Sequence, residues 1–442
     1  MIQVAQILFI LSVLVILHEF GHYITAKMFK MRVEKFYLFM DVGFSLLKKK
    51  IGETEWGIGW LPLGGYVKIS GMIDESMDED QMKQEPQPWE FRSKPAWQRL
   101  IVMLGGIIVN ILLAWFIYTM MFSTVGQKYI SMEKLQKNGL AFGEIGQSVG
   151  FKNGDKIVSI DGTLQPKFNW AVIDVLLSDE VIIDRNGTEV KLNLTDEQKG
   201  EILGGEGKNF IQPRISKIAI DSVMPKSEAA KAKLLKGDII QSVNGKQFSY
   251  FDVFAEDLKN LKNDSINIVV ERNSKLVNVS AKVNPEGKLG FVPKIQDKFD
   301  FQVINKLSFG EAISAAVKES YQLLVYNVKQ FKLILKPATG AYKQVKSPIG
   351  IARQLPDSWD WEFIWNFTAL FSIGLAFMNL LPIPGLDGGH ALFTIVEMVT
   401  GKKLSDKAAG YVQTGGMIFL LSLMALTFGK DIYQLILDKL AN

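Results

Sequence analysis

Two histidines four residues apart, His18 and His22, enclose Glu19 in the run His18-Glu19-Phe20-Gly21-His22. On a helix both imidazoles project from one face about one turn apart, a spacing that lets them bind a single zinc ion. Glu19 beside them can take a proton from a water whose pKa zinc draws down towards 7. Five residues recur by chance, and the plain alternative is two histidines and a glutamate near a helix end, snorkelling to an interface. The setting weighs against it. Three ionisable residues within a stretch apolar enough to cross a bilayer call for a charged partner, and a divalent cation supplies one. Glu19 separates the functional classes: a structural metal site in a membrane-tethered adaptor gains nothing from a water-activating carboxylate.

Zinc with an open water position needs a third protein ligand. The chain has no cysteine, which excludes thiolate ligands, disulfides and a catalytic thiol. A carboxylate or the remaining histidine must serve. Both occur in Asn379-Leu380-Leu381-Pro382-Ile383-Pro384-Gly385-Leu386-Asp387-Gly388-Gly389-His390. Two prolines break an apolar helix there, and Asp387 is the only acid between Glu362 and Glu397. A Pro/Gly turn capped by aspartate is the structural alternative. Asp387 is the favoured ligand, with His390 its competitor. The Asn379 amide could bind a substrate backbone or a developing oxyanion. Asn110 reads as a joint between spans two and three.

Histidine is scarce, with three in the chain, His18, His22 and His390, each in or beside an apolar stretch. A charge at mid-depth of a bilayer costs roughly 2.5–3.5 kcal/mol on insertion scales, so such placement argues for function. The 442 residues suggest two to four structural units, and a hydrophobic fraction of 48% fits a protein partly in lipid and partly in water. The formal charge of +4 is spread along the chain, which leaves no nucleic-acid footprint.

Four elements must position these groups. Apolar runs near 4–26, 100–122, 361–381 and 408–429 are long enough to span. The first lacks a basic leader and a small-residue cleavage site, so it reads as a span instead of a signal peptide. Lys27, Lys30, Arg32, Lys35 and Lys48 to Lys50 follow the first span, and Lys402, Lys403 and Lys407 join the last two. The positive-inside rule puts both links in the cytoplasm and the long stretch between spans two and three outside, the acidic run at 74–80 notwithstanding. Residues 55–70, with a Pro62-Leu63-Gly64-Gly65 turn, read as a β-hairpin, either on the surface or dipping to membrane depth under protein cover.

The stretch from Gly126 to Pro293 contains a repeat. Lys152 to Gly162 matches Leu235 to Gly245 at a constant offset, with the glycines, the aspartate, the serine and the final Asx-Gly coinciding. Asp184-Arg185-Asn186-Gly187 echoes Glu271-Arg272-Asn273-Ser274 at a slightly larger offset. Two copies of one small β-rich module are the simplest account. Beyond them, apolar residues at helical spacing from Leu307 to Leu335 predict a helix along the membrane surface or packed on the modules. The expected layout is thus 1–125 N-terminal membrane part, 126–208 and 209–295 modules, 296–358 amphipathic linker and 359–442 C-terminal membrane part.

In this order, His18 to His22, Gly64-Gly65-Tyr66-Val67, Phe91 to Pro95, the doubled module, Ser347 to Ile351 and Asn379 to Gly389 are a specific set. The chain resembles the site-2 proteases, in particular the bacterial regulator-of-sigma-E protease branch, over nearly its whole length. The resemblance implies a polytopic α-helical membrane protein with four transmembrane helices, a membrane-associated β-hairpin and two inserted PDZ-like domains in the periplasm. It implies Zn2+ held by His18, His22 and Asp387, Glu19 as general base, and an active site towards the cytoplasmic side of the inner membrane. It further implies Asn379 as a substrate-binding residue and the hairpin around Gly64, Gly65 and Tyr66 as a substrate-presenting element. The implied partners are membrane lipid and a single-pass membrane protein already trimmed by another protease. Two departures stand out: Gly105-Gly106 where Gly-Pro is usual, and Ser347 where glycine is commoner.

Overall fold

The computed structural model describes residues 2–62, 64–72, 85–204, 210–294, 301–403 and 405–441. The acidic run at 74–80, Leu63 and the module boundaries expected at 208/209 and 295/296 lie outside the described residues.

The chain forms two compact units. One comprises residues 1–126, 306–331 and 345–442, and the other residues 127–305 and 332–344. Among the described residues the first contains four helices long and apolar enough to cross a membrane, at Ile2–Met28, Ala96–Thr124, Trp361–Leu380 and Ala408–Gln434. We label the helices α1 (Ile2–Met28), α2 (Ala96–Thr124), α3 (Phe309–Ile334), α4 (Trp361–Leu380), α5 (Asp387–Thr400) and α6 (Asp406–Ala441).

Each boundary has a local cause. The Asp360 carboxylate caps α4 by accepting from the backbone N–H groups of Glu362 and Phe363. Pro382 then ends α4, since it lacks an N–H and disfavours helical backbone in Leu381 before it. Helix α5 starts at Asp387 and stops at Gly401, whose φ of 68° is left-handed.

Helices α1 and α2 touch backbone to backbone. A Cβ on Gly21 would lie 2.3 Å from the Gly105 carbonyl oxygen, and one on Gly105 2.5 Å from that of Gly21. Small residues at such a crossing are the usual device of membrane helix pairs, which gain little from hydrophobic burial in lipid. Below this crossing Ala26, Val102 and Met103 form a core with Val33, Phe36, Val67 and Ile69 of a sheet. The amphipathic α3 stacks Phe331 on Phe377 of α4 at 6.0 Å, a contact with a span that neither sequence alternative contained.

The sheet corrects the hairpin reading. Its strands are β1 (Val33–Leu38), β2 (Met40–Ile51), β3 (Thr54–Leu61) and β4 (Tyr66–Ile69), ordered β2-β3-β1-β4. The two strands expected within 55–70 exist, but they do not pair with each other. β3 runs parallel to β1 and antiparallel to β2, and β4 pairs antiparallel with the other edge of β1. β3 and β4 lie on opposite sides of β1 and are therefore not the two arms of one hairpin. Gly65 is packed so closely that a Cβ would lie 2.6 Å from both the Tyr37 carbonyl oxygen and Val15 Cγ1 of α1. β1 lies in the basic segment after the first span, where the sequence reading places no strand.

The second unit contains two hydrophobic cores and a matching ion pair beside each. One hydrophobic core is built around Phe142, Phe151, Val175 and Ile183, and another around Leu234, Phe254, Ile268 and Val270. In the first, Asp155 accepts two bonds from Arg185, at 2.9 and 2.7 Å, and one from the Lys152 backbone N–H. In the second, Asp238 accepts two from Arg272, both at 2.7 Å, and one from the Leu235 N–H. Each arginine also donates to a carbonyl, Gly150 or Lys233. Bidentate pairs of this kind fix geometry as well as energy. The Asn244-Gly245 turn closes a two-residue hairpin, with Val243 opposite Lys246.

Candidate metal centre and its cavity

Helix α1 places His18 and His22 one turn apart on its buried face, next to α2. A Cβ on Gly106 would lie 2.5 Å from His18 Cε1 and 2.6 Å from His22 Nε2, so α2 approaches the imidazoles as closely as a backbone can. This accounts for Gly106 at one of the departures noted in the sequence: the position faces the two rings.

Asp387, in the first turn of α5, completes the set. Its Oδ2 lies 3.2 Å from both His18 Nε2 and His22 Nε2, and the two Nε2 atoms are 3.3 Å apart. One ligand atom from each residue falls within 4.8 Å of the others, a group that could hold one metal ion. Asp387 Oδ2 is buried and accepts no hydrogen bond. His22 Nδ1 is 2.8 Å from the Val102 carbonyl oxygen, which can only accept, so the proton is on Nδ1 and the Nε2 lone pair faces Asp387. Converging lone pairs with no proton between them are repulsive until a cation joins them. The site fits zinc: two imidazoles and a carboxylate with room for water.

His18 Nδ1 is held at 3.0 Å by the side-chain amide of Asn110 on α2. With its Oδ1 turned to that ring nitrogen, the amide accepts the Nδ1–H and leaves Nε2 free for metal. The backbone carbonyl oxygen of Asn110 accepts from Ser372 Oγ of α4 at 2.7 Å, so spans two and three meet here through the main chain, while the side-chain amide expected to join them faces His18 of span one, a role the sequence reading missed. The polarity of Asn110 in an apolar span was the available signal. Asn110→Ala is expected to lower zinc affinity roughly 10–100-fold, the range for loss of an outer partner of a metal-bound histidine. Competition with a chelator in detergent measures it; unchanged affinity would rule the role out.

Helix α5 must be fixed for Asp387 to reach α1. Arg99 of α2, buried, forms an ion pair with Glu397 near the other end of α5. At the start of α5 a Cβ on Gly388 would lie 2.2 Å from the Leu381 carbonyl oxygen, so the turn folds tightly back on the end of α4. Asn379, one residue from that end, has Nδ2 3.3 Å from His18 Nε2.

These residues open onto a cavity of about 540 Å³ lined by His18, Glu19, His22, Gly64, Gly65, Tyr66, Asn379, Asp387 and His390, among others. Every site residue read from the sequence is therefore on one wall or another. His390 lines the cavity without belonging to the three-residue group, to which Asp387 does belong. β4, the edge strand of the sheet, lines the same cavity as Glu19 through Tyr66, Val67, Lys68 and Ile69. Tyr66 donates to Asp41 Oδ1 at 2.9 Å; burial and then this bond hold its hydroxyl protonated, well above the usual phenol range.

Together, the spanning helices and a histidine-histidine-aspartate group beside a glutamate define a membrane-embedded metallohydrolase. The chain belongs to peptidase family M50, whose model matches residues 6–423. It is 28% identical to the regulator of sigma-E protease RseP of Escherichia coli, covering 98% of this chain and 99% of that one. The regulator of sigma E protease of Haemophilus influenzae is also 28% identical, over 96% of this chain and 97% of the relative. The enzyme is an intramembrane zinc metalloendopeptidase.

Proposed function

We propose that this protease hydrolyses peptide bonds within the transmembrane segment of single-pass proteins, such as an anti-sigma factor or signal-peptide remnants, after another protease has trimmed their outer part. His18, His22 and Asp387 hold the zinc ion. When bound, the ion supplies Lewis acidity, lowering the pKa of water and polarising the scissile carbonyl. Glu19 takes the proton of the attacking water and delivers it to the leaving amide nitrogen. Asn379, beside His18, donates to the substrate carbonyl as charge develops on it.

The observation that carries this reading is that β4, an edge strand, lines the cavity together with Glu19 and the metal group. A peptide bond in a helix is paired within the helix and sheltered, so the substrate must unwind. An extended segment added to β4 regains its backbone hydrogen bonds there. Gly64, Gly65 and Tyr66 lie at the start of that edge. The two β-rich modules act as PDZ-like filters on the periplasmic side of a bacterial inner membrane, and the site lies towards the cytoplasmic side, as the lysine-rich links suggest.

The native chain has no cysteine, so single-cysteine variants give clean crosslinking. In membranes, Tyr66→Cys in a Glu19→Gln background is expected to form a disulfide with a cysteine near the substrate cleavage point. Substrate retained without crosslinks along β4 would overturn the strand-addition reading.

A further inference from the structure

The hairpin made by β2 and β3 carries an unusual surface. On β2, Phe44, Leu46 and Leu47 are 59%, 58% and 67% exposed, and Lys48, Lys49 and Lys50 follow directly, all exposed. Among the described residues none of the three lysines has an ion-pair partner. The neighbouring acids are engaged elsewhere, Glu53 by Lys27 at 3.6 Å and Glu55 by the Tyr37 hydroxyl at 2.8 Å. Phe44 stacks on Trp60 at 5.8 Å, and Trp60 Nε1 donates to the Val42 carbonyl, so the apolar end is ordered by its own contacts.

The register fixes the height of the lysines. Lys49 pairs with Trp56, whose ring lies 5.1 Å from Tyr23 of α1. Tyr23 is little more than a turn from Met28, where α1 ends. The lysines are therefore level with the end of a spanning helix, where lipid headgroups lie. At that height water and headgroups satisfy the free edge of β2, which hydrocarbon would not.

We infer that the β2–β3 hairpin binds anionic phospholipid, with Lys48 to Lys50 on the headgroups and Phe44, Leu46 and Leu47 in the adjoining acyl region. Cations at this depth attract anionic lipid by roughly five-fold per lysine near the surface. Because β2, β3, β1 and β4 form one sheet, lipid bound to the hairpin also sets the height of the β4 edge beside the metal centre. The proposal uses the orientation given above but not the proteolytic chemistry.

The test uses the full chain with Leu46→Cys carrying an environment-sensitive fluorophore, reconstituted in phosphatidylcholine vesicles with or without phosphatidylglycerol. Quenching of the label by spin-labelled lipid is expected to be stronger with phosphatidylglycerol. Adding Lys48→Gln, Lys49→Gln and Lys50→Gln together is expected to abolish that difference, and high salt to weaken it. Equal quenching in both vesicles, or a phosphatidylglycerol response that survives in the triple variant, would overturn the inference. The readout needs no turnover, so it stands or falls separately from the catalytic assignment.

Discussion

Glu19→Gln is expected to leave zinc bound and to lower turnover of a membrane substrate by roughly 10²–10⁴, the range supplied by a positioned acid-base group. Glu19 lines the cavity beside the metal group but is not part of the three-residue cluster. Glutamine matches glutamate in size and keeps one side-chain acceptor at that place. What glutamine cannot do is take a proton. Metal analysis of the purified variant beside a cleavage assay separates the two contributions. Zinc retained with turnover unaffected would refute the base role and restore the reading of a binding protein with a structural metal site.

The second large effect concerns the third ligand. Asp387→Ala is expected to empty the site and bring cleavage to background. The loss in zinc affinity should exceed the roughly 10–100-fold that removal of an outer hydrogen-bond partner costs. The reason is geometric: Asp387 Oδ2 faces both Nε2 atoms at 3.2 Å, and no other carboxylate joins this group among the described residues. Two histidines alone leave zinc short of the three protein ligands of a catalytic site. His390→Gln is the matched control and should retain zinc, since His390 lines the cavity outside the cluster. Loss of zinc in His390→Gln with retention in Asp387→Ala would reverse the assignment.

The spans, the metal-binding helix and the doubled module were readable because each rests on local periodicity. Apolar runs set the four helices, and the spacing of His18 and His22 sets one helical face. Residues at matching positions of the repeat, Asp155 with Arg185 and Asp238 with Arg272, form the same ion pair, which the repeat pattern alone did not show. The sheet was not readable in the same way. Val33, Phe36 and Tyr37 are buried, but Lys35 and the cations before them make β1 look like a cytoplasmic loop. Without β1 as a separate strand, the strands flanking Pro62 looked like neighbours.

Sequence by itself determined which residues could bind a metal, that they lie at membrane depth, and that Asp387 or His390 must complete the set. Only the tertiary structure brings Asp387, and not His390, into one group with both imidazoles, because that depends on how α5 folds back from the end of α4 and is tied to α2 by Arg99 and Glu397. It also decided that Asn110 and the Val102 carbonyl orient the imidazoles and that β4 lines the cavity. Spacing along a helix is fixed by the backbone and can be counted. Distance between helices is set by where glycines allow contact and where side chains find partners, and that is resolved only when the chain is packed.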